Sequence, residues 1–68
     1  MSELEQLVKM ANQIAANFSY HEDCAHRLAM HLNRSWAPIM RQQLKDHAAS
    51  GANDLDAAVL QSLDEIET

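Results

Sequence analysis

Four histidines and a single cysteine are the residues of this chain that could do chemistry. His21 and Cys24 stand one helical turn apart with Glu22 and Asp23 between them, and His26, His31 and His47 follow. An imidazole and a thiolate at that spacing could share a metal ion. A structural zinc site takes four ligands, however, usually as two close pairs, and no second pair accompanies the first. The histidines therefore read as surface residues and no metal ligand is assigned. A small metal or redox-sensing role through Cys24 and His21 would require stoichiometric metal. Nucleophilic catalysis fares no better, because Cys24 lacks a third group to orient a histidine base and so short a helical chain offers no oxyanion site. The sequence contains no Gly-rich phosphate loop, no iron–sulphur cysteine spacing and no dinucleotide motif. The expectation is a chain that is not an enzyme by itself, with no catalytic and no cofactor-binding residue.

The elements that position these side chains follow from composition. Ala, Leu, Gln, Glu and Met favour helix, while one Gly and one Pro supply little hairpin chemistry. The predicted fold is all-α: a small bundle of three to four helices built on an antiparallel helical hairpin, with a Pro38 break between the second and third helices. One small helical domain, 1–68, is expected to hold helices over 3–18, 20–36 and 38–49 and a weaker one over 54–66. Ser2 and Glu5 form a capping box, and Ser19 to Glu22 repeats its spacing. Pro38 suits the first turn of a helix, Gly51 the left-handed stop after one, and Asn53 or Asp54 the start of the last.

Apolar residues at helical spacing mark the core as Leu7, Ala11, Ile14, Phe18, Leu28, Leu32, Trp36, Met40 and Leu44. Trp36, the only Trp and the largest apolar surface, sits at the corner before Pro38 as the hub. Leu55, Val59, Leu63 and Ile66 stripe the last helix, which is acidic elsewhere and is expected to fray. Arg41 and Lys45 are placed outward on the third helix. A chain of this length buries only about 60% of its unfolded surface, so a partner is in keeping with its size.

The net charge of −5 argues against nucleic-acid binding. Its distribution is uneven, since residues 27–45 carry Arg27, Arg34, Arg41 and Lys45 without an acid and the chain from Asp54 onward is acidic without a base. Pairing of that tail with the middle is the favoured reading. A lone cysteine fits a reducing compartment, the acidic N-terminus lacks a signal-peptide pattern, and no run approaches membrane-spanning length. A cytoplasmic protein with no membrane contact is expected. The candidate partner-binding residues are Met10, Gln13, Arg27, Met30, His31, Arg34, Ile39 and Arg41. Within them Arg27, Met30, His31 and Arg34 form a basic face.

Met10-Ala11-Asn12-Gln13-Ile14 followed by Phe18, and then His31-Leu32, Arg34, Trp36, Pro38, Met40-Arg41 and Gln43-Leu44, resembles the delta subunit of cytoplasmic NAD-dependent, molybdenum-containing formate dehydrogenases. The resemblance spans about residues 7–63. Ala15, Ala37 and Ile39 depart from it, standing where Gly, an acidic residue and a basic residue are usual. The resemblance implies a non-catalytic accessory subunit that docks on the formate dehydrogenase large subunits and assists assembly, molybdenum-cofactor maturation or stability. It places the molybdenum pterin cofactor, iron–sulphur clusters and FMN in those partner subunits. The alternative is a stand-alone helical interaction or regulatory module acting as a homodimer.

Overall fold

The computed structural model describes residues 2–68; Met1 of the expected 1–68 domain lies outside them. Four helices follow one another with no strand among the described residues: α1 (Glu3–Asn17), α2 (Cys24–Ser35), α3 (Pro38–Ala49) and α4 (Ala57–Ser62), the last running into a 3-10 turn at Leu63–Glu65. The all-α reading holds. α1 opens as its sequence predicts, with the Ser2 hydroxyl accepting the Glu5 N–H at 3.1 Å. Acidic Glu3 and Glu5 in the first turn suit the positive end of the helix dipole. At the other bend Pro38 occupies the first turn of α3, and Ala37 before it has no side chain with which to cap that helix.

Two helix boundaries differ from expectation. The second helix begins at Cys24, not residue 20, because Phe18–Asp23 forms a turn in which the Ser19 N–H reaches Ala16 O and the His21 N–H reaches Phe18 O. The Ser19 to Glu22 spacing makes no capping box there. Asp23 occupies the cap position, but its carboxylate accepts from Arg27 Nε at 2.8 Å and does not bond the helix end. The last helix begins at Ala57, not 54, since Asp54 to Asp56 is drawn out along α1, and neither Asn53 nor Asp54 caps it. Gly51 closes α3 with φ at 87°, the left-handed conformation expected of it.

The core lies around α2, where Leu28, Ala29 and Leu32 are wholly buried. Leu7, Val8, Ala11 and Ala15 meet them from α1, Leu44 from α3, and Trp36 closes the α2–α3 corner at 5% exposure. Ile14, Phe18 and Met40, expected in the core, pack against its edge and stay partly exposed. The helical hairpin is not the principal packing unit. α2 packs most extensively on α4, and α1 on α3. The C-terminal segment therefore does not fray: Leu55 and Ile66 are buried, and Val59 and Ser62 completely so. The Ser62 hydroxyl is satisfied by Val59 O at 2.6 Å, so its burial leaves no orphan donor.

Ile66→Ala is expected to lower stability by about 2–5 kcal/mol and Trp36→Ala by about 3–5 kcal/mol. Urea titration followed by helical circular dichroism checks both. A loss for Ile66→Ala below about 0.5 kcal/mol would mean that the end of the chain is undocked.

Candidate functional site

Helix α1 turns one flank inward and leaves another bare. Met10 and Gln13 are exposed there and line an open, mostly apolar groove of about 320 Å³ with Lys9 and Ile14. A flexible thioether between an amide and a lysine stem is an adaptable contact surface. Past the groove, Phe18 meets the edge of the His31 ring at 6.1 Å and lies 6.3 Å from His21, on which Tyr20 stacks at 4.2 Å. His31 is consequently half-buried against an aromatic ring and offers one side to solvent. Tyr20 is 80% exposed, an apolar body that the sequence reading did not single out.

The outer face of α2 presents Arg27, Met30 and Arg34 to solvent. Arg27 is held by Asp23 one turn earlier, which leaves Arg34 as the exposed cation beside the half-exposed Met30. That hydrogen bond holds the Asp23 carboxyl below the usual carboxylate range. Ile39, at 69% exposure, projects from the first turn of α3. Of the eight candidate partner residues, seven retain exposed surface on α1, α2 or α3.

Arg41 is the eighth, and its placement is a correction. It is buried, with Nη1 donating to Glu67 O at 2.7 Å and to Asn33 Oδ1 at 3.3 Å, while its Nε is buried without a partner. Lys45, also expected to face outward, donates to Ile66 O at 3.1 Å. Both side chains lie at the edge of the α3 apolar stripe, and the C-terminal segment crosses that edge. The expected pairing of basic middle and acidic tail is thus partly a pairing with main-chain carbonyls. Its side-chain component comes from histidines, His26 Nδ1 with Glu65 Oε1 at 2.6 Å and His47 Nε2 with Asp54 Oδ1 at 2.9 Å. Among the described residues no three His, Cys, Asp or Glu side chains come together to hold a metal.

Two asparagines missed in the sequence organise this segment. Asn12 donates through Nδ2 to Asp54 O at 2.8 Å and accepts the Asp56 N–H at 2.9 Å, so its amide brackets Leu55. Asn33 does the same around Ile66, donating to Glu65 O at 2.9 Å and accepting the Glu67 N–H at 2.8 Å. The available signal was only their position, since asparagine is a poor residue for a helix interior, and that position does not identify the distant main-chain partners.

A family model described as "NADH-dependant formate dehydrogenase delta subunit FdsD" matches residues 6–63, nearly the whole chain and both motif-bearing stretches. No curated protein and no solved structure matches it. Among the described residues no helix is long and apolar enough to cross a membrane.

Asn33→Ala should cost about 1–3 kcal/mol, because it strips partners from the Glu65 carbonyl, the Glu67 N–H and the Arg41 guanidinium together. The Asp23–Arg27 pair carries a pH signature. A depressed carboxyl favours the folded state above its unfolded pKa, and that contribution fades as pH falls through the folded value, below roughly pH 4. Arg27→Gln is expected to raise the Asp23 midpoint in an NMR titration of its carboxyl carbon; an unmoved midpoint would remove Arg27 as the cause.

Proposed function

Because the chain belongs to the FdsD family of formate dehydrogenase delta subunits, we propose that it is a non-catalytic accessory subunit of a cytoplasmic NAD-dependent formate dehydrogenase. It docks on the large subunits and assists assembly, molybdenum-cofactor maturation or stability. On this reading the molybdenum pterin, the iron–sulphur clusters and FMN reside in those partners, where formate is oxidised and electrons pass to NAD.

The observation that carries the reading is the separation of polar roles. Asn12, Asn33, Arg41 and Lys45 are spent inside the molecule on the C-terminal segment. Met10 and Gln13 on α1, and Met30 and Arg34 on α2, are left at the surface. An exposed methionine beside a guanidinium on α2 is the composition of an apolar interface patch with a charge at its rim. A rim arginine of this kind acts on association rate and salt dependence.

A tagged chain recovered from its native cytoplasm at low and moderate salt should bring down large subunits that reduce NAD in the presence of formate. Recovery of the bait alone overturns the reading. Arg34→Glu is expected to leave the helical circular dichroism unchanged and to weaken that capture, more at low salt than at high. Unchanged capture would exclude the outer face of α2 as the docking surface.

A further inference from the structure

Taking the docking reading above as premise, we propose that the groove on α1 seats an amphipathic helix of a formate dehydrogenase large subunit, one with aliphatic residues four apart and a carboxylate on the flank that meets Lys9. Lys9 and Gln13 are four residues apart, as are Met10 and Ile14, so the groove is the furrow between two neighbouring rows on one helix. Such a furrow accepts a row of side chains from a second helix, crossing at about −50° or +20° according to which row enters. An extended chain has no such fit. The main-chain groups of α1 bond within the helix at this point, so a strand laid along it finds no backbone partner. Nor does a small molecule fit, since all four lining residues come from one helix and a ligand pocket encloses most of its occupant.

The two walls differ. Met10 and Ile14 form the apolar one, and Phe18, just past the helix end, extends it by another turn to the edge of the His31 ring. From Met10 to Phe18 the row is about 12 Å long, room for roughly two turns of a crossing helix. Lys9 and Gln13 form the other wall, which Asn17 continues at the same spacing. All three are exposed, and among the described residues none gives its side chain to a hydrogen bond, whereas Asn12 and Asn33 both do. One flank of an incoming helix is therefore met by apolar carbon and the other by an ammonium and two amides.

Charge fixes the chemistry of the polar flank. Lys9 is the only cation of α1, and the ion pairs among the described residues go to Arg27 and two histidines and leave it out. Glu5 precedes it by one turn, so a partner's acid is attracted at Lys9 and repelled nearer the start of α1. A second copy presenting the same row brings a lysine and no acid to this flank, because residues 9–17 contain no Asp or Glu. An acid-bearing helix on a larger partner supplies what α1 lacks.

The test uses the assembled complex, with a photo-cross-linking residue in place of Asn17 and the attached peptide identified by mass spectrometry. The expected product is one large-subunit peptide with aliphatic residues four apart and an Asp or Glu within a turn of them. Lys9→Glu should weaken capture of the large subunits on the order of tenfold at low salt and less at high salt, with the helical circular dichroism unchanged. Replacing that partner acid with Lys should then restore capture. Undiminished capture by Lys9→Glu overturns the inference, as does a failed rescue, a cross-link to a second copy of this chain or a cross-linked peptide without that pattern. Large subunits captured with no cross-link from the Asn17 position overturn it while the docking reading stands. A parent chain that captures no large subunit overturns both.

Discussion

The amide of Asn33 is the point on which much of this small structure turns. It takes the carbonyl of Glu65 and the N–H of Glu67, fixes Ile66 between them, and lends its oxygen to Arg41 as well. A guanidinium buried without a carboxylate is costly. Here it is stabilised by two neutral oxygens, those of Asn33 and the Glu67 main chain, and hydrogen bonds to a charged group are worth about 1.5–3 kcal/mol each. Asn33 thus holds down the segment that covers α2 and supplies an acceptor to the charge which that segment buries.

This arrangement answers the size problem of the chain. Three helices of twelve to fifteen residues present a groove that α2 lines with Leu28 and Leu32, and without Val59, Ser62 and Ile66 that groove would face water. A short fourth helix cannot hold itself together by its own hydrogen bonds, since a single turn and a half lies far below the length at which helices are stable alone. It is helical because its apolar side is buried on α2 and both its ends are clipped to other helices. Stability at the C-terminus is tertiary in origin, and six side chains of α1 to α3, those of Asn12, His26, Asn33, Arg41, Lys45 and His47, are committed to it.

What remains uncommitted is what faces outward: the α1 groove beside Met10 and Gln13, the α2 face with Met30 and Arg34, and Ile39 at the start of α3. In a chain with a net charge of −5, a cationic and apolar face of this kind is set apart from the acidic surface of the C-terminal segment. The two sets do not overlap, because residues used to complete the chain's own core are not free at its surface.

Local signals in the sequence determined the helical class, the start of α1 at its Ser2 cap, the bend at Pro38, the stop at Gly51 and the stripe of Leu28, Leu32 and Leu44. Each depends on neighbours within a turn or on a 3.6-residue period, and the paired stretches around Met10–Ile14 and Trp36–Arg41 carried the family. The tertiary structure alone decided that Arg41 and Lys45 turn toward carbonyls, that Asn12 and Asn33 are clips, and that the last segment docks where its acidity suggested fraying. Those outcomes depend on main-chain groups more than twenty residues away, and backbone carbonyls and amides are the same in every residue, so composition and periodicity have no means of marking them. The second helix began late because Phe18–Asp23 closes first as a turn, with the Ser19 N–H on Ala16 O and the His21 N–H on Phe18 O.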